Sequence, residues 1–195
     1  MDNSRIRRKY LSLMREAEKR LEVLNAFINK ETNAVYLQTT IESEALQLRK
    51  LLELIAYASL VAHKDAYKSV RKDIDKDWHA KRILRKIESL NPNFDPIPTN
   101  GVSNGKWNTP RGGYLTRKQF ETLYDKCGKI LHSKNPFSNT PQHLLSFHKK
   151  MPNHVARIQK LLSEHRVRLA SSNEMIHVRV QFFTDAPMEL RLLGE

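Results

Sequence analysis

The sequence predicts a mainly α-helical protein: a four- to five-helix bundle around a buried central helix, with a C-terminal β-hairpin. Three observations carry this. Apolar residues recur at Ile41, Ala45, Leu48, Leu52, Ile55 and Ala62, and from Leu54 to Ala62 no face carries a charge. That is the pattern of a helix covered on all sides. The segments around it show one apolar stripe each, with charge on the opposite face. After Ser171-Ser172-Asn173 the period changes to two: Ile176, Val178, Val180 and Phe182 alternate with polar residues, as a half-buried strand requires. Residues 1–170 read as the helical domain and 171–195 as a hairpin packed on it.

In chain order, residues 4–30 form a long amphipathic helix with Ile6, Tyr10, Leu13, Ala17, Leu21, Leu24 and Ile28 inward. Arg5, Arg7, Arg8 and Lys9 crowd its start, where the helix dipole disfavours cations. Either an anion holds them there or they are solvated at a frayed end. The central helix spans about Val35 to Lys64, and it places Arg49 and Glu53 four residues apart on one face. It is too short and too charged to cross a bilayer. A third helix fits 69–90, with Val70, Ile74, Trp78, Leu84 and Ile87 inward and Asn91-Pro92 ending it. Asp73, Asp75 and Asp77 alternate near its start but lack the glycine and closing glutamate of a calcium loop.

Residues 91–115 hold four of the eight prolines and four of the six glycines and read as an irregular loop. Lys106, Trp107, Arg111 and Tyr114 lie within it. Basic residues interleaved with aromatics suit single-stranded nucleic acid; they equally suit a loop pinned to the bundle by its rings. The next helix has the clearest start. Thr116 is the N-cap, Gln119 completes a capping box, and Leu115 with Phe120 form a hydrophobic staple. Phe120, Leu123, Tyr124, Cys127, Ile130 and Leu131 face inward, and Gly128 provides for a close approach. Thr140-Pro141 opens a further helix, in which Pro152 is expected to cause a break or kink near Lys150. Its second half continues through Val155, Ile158, Leu162 and His165, with Arg157, Lys160, Arg166 and Arg168 outward. Asp185-Ala-Pro187 is the hairpin turn, and Met188, Leu190 and Leu192 form the returning apolar face.

Composition bounds the function. The formal net charge of +13 attracts polyanions, nucleic acid foremost; an acidic protein partner is the alternative. A single cysteine, Cys127, excludes an intrachain disulfide and a multi-cysteine zinc site. The chain opens on charged residues rather than an apolar leader, which leads to the expectation of a cytoplasmic protein with no membrane association. No Walker loop, dinucleotide fingerprint or nucleophile elbow occurs. The spacing of His143, His148 and His154 does not set them on one face for a metal. No cofactor and no metal are expected.

The most distinctive stretch is Tyr124-Asp-Lys-Cys-Gly-Lys-Ile-Leu-His-Ser-Lys-Asn-Pro-Phe137. It resembles the motif of the HEPN superfamily of small α-helical bundles, in which an arginine precedes a histidine by four to six intervening residues. Here Lys126 stands at the arginine position, five residues intervene, and His132 matches the histidine. The resemblance implies a homodimeric, metal-independent ribonuclease of a toxin or anti-phage system. His132 would be its acid–base group and Lys126 its phosphate stabiliser, with Lys129, Lys134 and Asn135 beside them on the RNA. Lysine offers a point charge where arginine offers a fork, a departure that points toward the binding or scaffold members of such a superfamily. The alternative function is a non-catalytic regulatory or interaction module that dimerises and binds nucleic acid or an acidic partner. For His132 itself the alternative is C-terminal capping of its helix.

Overall fold

The structure is a computed structural model that describes residues 3–70, 76–133, 136–137, 143–170 and 174–194. Its described helices are α1 (Asn3–Ile28), α2 (Leu37–Ala62), α3 (Lys64–Val70), α4 (Ala80–Leu90), α5 (Arg117–Leu131) and α6 (Leu144–Ser163). The described strands are β1 (Ile97–Pro98), β2 (Val102–Ser103), β3 (Lys106–Trp107), β4 (Glu164–Arg168), β5 (Glu174–Arg179) and β6 (Glu189–Gly194). The protein is mainly α, with the C-terminal hairpin β5–β6 built into a sheet.

α2 is the axis of the bundle and packs against all five other described helices. Ile41, Ala45, Leu48, Leu52, Ile55 and Ala62 are all buried, as their spacing requires. α1 lies along it with Tyr10, Met14, Ala17, Leu21 and Leu24 inward. At the end of α2 the buried His63 turns its ring back on the helix, Nδ1–H donating to the Ser59 carbonyl at 2.8 Å. Asn91 Nδ2–H then donates to His63 Nε2 at 3.1 Å and to the Arg168 carbonyl at 2.9 Å. One buried imidazole thus ties α2, the end of α4 and the end of β4 together.

Three expectations are corrected. The helix over 69–90 is two helices, α3 and α4, and Trp78 is 66% exposed rather than inward. Between them the Tyr67 hydroxyl donates to Asp77 Oδ2 at 2.5 Å. Residues 77–79 are not helical and His79 is the N-cap of α4, so Trp78 falls before its first turn. Residues 71–75, with Asp73, Ile74 and Asp75, lie outside the described residues, as do Thr140-Pro141. Second, α6 runs unbroken through Pro152. The proline is exposed and forfeits one hydrogen bond, while buried Phe147, Met151, Val155 and Ile158 hold both halves of the helix on the core. Third, the helix does not continue through His165. Residues 164–168 form β4, with burial alternating along the strand.

His165 explains that third change. Its ring is fully buried, Nδ1–H donating to the Leu162 carbonyl at 3.1 Å and Nε2 accepting from the Tyr10 hydroxyl at 2.8 Å. Burial pushes its pKa down to about 4 and pushes that of Tyr10 up. Read as a helical residue, His165 would follow Leu162 on the apolar face. Read as a strand residue, it starts an alternation with Val167. The sheet is antiparallel in the order β1-β4-β5-β6. Its inner face, with His165, Val167, Ile176, Val178 and Leu190, joins the core of the bundle, which is the support a two-stranded hairpin lacks alone. Residues 102–107 form a second, two-stranded ribbon, β2–β3. Asn104 and Gly105, both with positive φ (51° and 72°), make its turn, the conformation that favours Asn-Gly in tight hairpins.

Candidate anion-binding cleft

α5 starts as its sequence requires. Thr116 Oγ1 accepts from the Gln119 N–H, Gln119 Oε1 accepts from the Thr116 N–H at 3.1 Å, and Leu115 and Phe120 are both buried. The staple residue also fixes the neighbour: the Leu115 N–H donates to the Arg157 carbonyl at 3.0 Å. That bond sets the first turn of α5 against the middle of α6. With Phe120, Leu123, Tyr124, Cys127 and Ile130 committed to the core, the stripe beside them (Lys118, Thr122, Lys126, spaced four apart) faces α6. α6 answers with Lys150, Asn153, His154 and Arg157.

Between the two helices lies a cleft of about 420 Å³ with Leu115 and Leu123 among its lining residues. Lys118, Lys126, Lys150 and Arg157 line it, and no acidic side chain does among the described residues. Arg157 Nε–H donates to Asn153 Oδ1 at 2.7 Å, which orients its guanidinium. His154 sits half-buried in the wall beside the Phe147 ring, 6.2 Å between centroids. Burial, then the charges of Lys126, Arg157 and Lys150, push its pKa down to about 4. At neutral pH the cleft therefore presents four cations and a neutral imidazole. An anion some 4 Å from one such cation gains roughly 4 kcal/mol at the effective dielectric of a protein surface, before desolvation.

The sequence-predicted residues separate. Lys126 lies in the cleft, and the imidazole it faces is that of His154. His132 is the C-cap of α5 and is exposed. Six residues of α-helix turn through about 600°, so Lys126 and His132 leave the axis about 120° apart. Lys129 is exposed in the last turn of α5, where the dipole favours a cation. Lys106 and Arg111 are exposed in the 91–115 region. Trp107 is half-buried against the sheet, its ring 4.9 Å from that of His177 and 5.5 Å from the Arg166 guanidinium. It pins its part of the loop to the sheet, while Tyr114 packs against the core of the bundle. Lys134 and Asn135 lie outside the described residues.

Sequence reasoning passed over Lys118, Lys150 and Asn153, and weighed His154 only as a metal ligand. The available signal was their helical spacing, 118–122–126 on one helix and 150–153/154–157 on the other. The side of α5 away from α6 carries a different polar group. Arg49 Nη2–H donates to the Tyr124 hydroxyl at 2.9 Å, that hydroxyl donates to Glu53 Oε1 at 3.2 Å, and Arg49 Nε lies 3.3 Å from the same oxygen. The Arg49 guanidinium stacks 4.2 Å from the Tyr124 ring centre and crosses α5 where Gly128 leaves room. Burial pushes the Cys127 thiol up to about 12, which leaves it inert as a nucleophile. Glu44, fully buried on α2, is paired: each of its oxygens lies 2.9 Å from His148 Nδ1.

Among the described residues no cluster of three or more His, Cys, Asp or Glu could hold a metal ion, and no helix is long and apolar enough to cross a membrane. No family model, no curated protein and no solved structure matches the chain.

Proposed function

We propose that this chain binds RNA by its phosphates in the α5–α6 cleft. The observation that carries the reading is the convergence of Lys118, Lys126, Lys150 and Arg157 on one concave surface that no acid lines among the described residues. Charges gathered without counterions cost folding energy, and a polyanion removes that cost. The net charge of +13 supplies the long-range attraction. The resemblance around His132 supports RNA as the polyanion, a paired arrangement of two chains, and a toxin or anti-phage setting.

The test is affinity for a labelled single-stranded RNA as a function of salt. Four phosphate contacts predict a loss of about 50-fold between about 50 and 200 mM salt. A flat response would overturn the reading.

One observation favours a nucleolytic version: the imidazole of His154 lines the cleft together with Lys126, Lys150 and Arg157. There His154 takes the 2′-hydroxyl proton, the 2′-oxygen bonds to phosphorus, and the bond from phosphorus to O5′ breaks. A lysine ammonium protonates the departing O5′, and the proton on His154 returns to that lysine through water. The products are a cyclic phosphate and a 5′-hydroxyl. Incubation with RNA and a chelator tests it. Cleavage lost in His154→Ala assigns the chemistry to the cleft; loss in His132→Ala alone assigns it to the end of α5; intact RNA in every case leaves a binding protein.

A further inference from the structure

The outward face of the sheet is a second basic surface, and the cleft does not account for it. Antiparallel pairing sets Arg166, His177 and Arg191 in one row across β4, β5 and β6, about 4.8 Å apart from strand to strand. Arg168 lies two residues along β4 from Arg166, hence on the same face and about 6.8 Å away. The nine outward positions of these three strands hold four arginines and two glutamates. Both acids sit in the row of Arg179 and reach into the next: Glu164 lies 2.9 Å from His177 Nε2 and 3.5 Å from Arg179, and Glu189 lies 2.9 Å from Arg191. Arg166 and Arg168 lie toward the other end of the face. There a groove of about 230 Å³ is lined by Asn93, Ile97, Arg166, Arg168 and Met175.

The composition of that groove is specific. Two guanidinium planes, a thioether and an exposed isoleucine offer a planar ring something to lie against, and Asn93 offers polar groups to its edge. A phosphate alone makes no use of Ile97 or Met175. Arginine planes and polarizable side chains on an open sheet are suited to unstacked bases. A base inside a duplex presents only its edge and cannot enter. Trp107, its ring 5.5 Å from the Arg166 guanidinium and tilted against that of His177, borders the same row.

We infer that the outward face of the sheet, centred on Arg166, Arg168 and Met175 with Trp107 at its border, is a base-contacting site for single-stranded nucleic acid. The inference rests on the RNA reading above and deepens it: the cleft takes phosphates, and the sheet selects strands whose bases are free.

Trp107 reports on the site directly. The chain has two tryptophans, and Trp78 is exposed outside both surfaces, so Trp78→Phe leaves Trp107 as the sole indole emitter. The probes are a short oligouridylate, a blunt duplex RNA of equal length and inorganic polyphosphate. Oligouridylate is expected to change Trp107 emission, with duplex and polyphosphate giving less than a third of that change. Arg168→Glu, at an exposed position, is expected to abolish the change and weaken oligouridylate binding at least fivefold; Arg168→Gln is expected to give an intermediate loss. Unaltered emission, with binding that depends on Lys126 and Lys150 but not on Arg168, overturns the sheet site and leaves the cleft standing. Equal responses to all three probes overturn base contact. Binding that Lys126→Glu with Lys150→Glu leaves unchanged overturns the cleft reading while the Arg168 variants still decide the sheet.

Discussion

α5 carries two polar groups on two of its sides, and they differ in one respect. Toward α2 its groups are paired: Tyr124 lies between Arg49 and Glu53, and nearby Asp125 holds Lys81 at 2.8 Å. Toward α6 the described residues lining the cleft carry four cations and no acid. Charges that meet their complement inside the fold have been spent on assembly. Charges set side by side without one make sense only with something else present. The difference separates a joint from a binding surface, although both are built from arginine, lysine and histidine at helical spacing.

The strongest test of that division is Arg49→Ala. It leaves the Glu53 carboxylate without its cation and opens space above Gly128. Because Arg49 and Glu53 are each about a fifth exposed, the loss is expected near 2 kcal/mol rather than that of a fully buried pair. A denaturant titration measures it. RNA affinity should stay within about twofold, as expected of a substitution that touches no nucleic-acid contact. If affinity collapses while the fold survives, the joint is part of the site and the comparison breaks.

Lys126→Glu with Lys150→Glu is expected to do the reverse. Affinity for RNA should fall at least tenfold, about 1.4 kcal/mol or more, and the salt dependence should flatten because fewer counterions are displaced. Stability should hold or rise slightly, since the substitution relieves repulsion within the cleft. A drop in melting temperature would mean that these lysines have acidic partners in the fold.

A smaller effect lies in pH. In the free protein the pKa of His154 is pushed from 6.5 to about 4, by burial first and then by its cationic neighbours. A phosphate in the cleft offsets the second cause and raises that pKa in the complex. Affinity therefore increases as pH falls from neutrality, slightly at first and more steeply as the pH nears the raised pKa of the complex, by no more than about tenfold if the phosphate restores one unit. His154→Gln should flatten the response and leave binding at neutral pH in place. The free protein behaves in the opposite sense. A depressed histidine pKa contributes stability that is fully present above 6.5 and lost as pH falls toward 4, and the fully buried His165 behaves the same way. Affinity is accordingly read in the upper part of that window, where the chain remains folded.

Much of the joint and little of the cleft was legible in the sequence. The start of α5 is local chemistry, and Thr116, Gln119, Leu115 and Phe120 specify it within six residues. The course of α2 follows from its uncharged end. By contrast, the cleft depends on a backbone bond between Leu115 and Arg157, more than forty positions apart, and nothing local announces it. Lys126 could be singled out, but only by its spacing to His132 on the same helix, whereas its partners come from α6. β4 was obscured because Leu162 and His165 fit a helical stripe as well as His165 and Val167 fit a strand. Pairing with β5 along its whole length, and the Tyr10 hydroxyl 155 residues away, decide between the two. Asn104-Gly105 was a legible turn signal, hidden within a segment whose many prolines and glycines suggested an irregular loop.

The finest test concerns Gly128. A Cβ there would lie 2.9 Å from Arg49 Nη1, so the guanidinium would have to shift away from the Tyr124 hydroxyl and ring. Alanine in a helix interior is favoured over glycine by about 1 kcal/mol, and the lost hydrogen bond and cation–π contact are worth about the same. Gly128→Ala alone should thus change stability by less than about 0.5 kcal/mol, with the two effects in opposition. In an Arg49→Ala background the opposing effect is absent, the added methyl enters vacant space, and the same substitution should stabilise by about 1 kcal/mol. The cycle closes on a coupling near 1 kcal/mol if Gly128 is there to admit the arginine. Equal effects in both backgrounds would show that the glycine has no part in the joint.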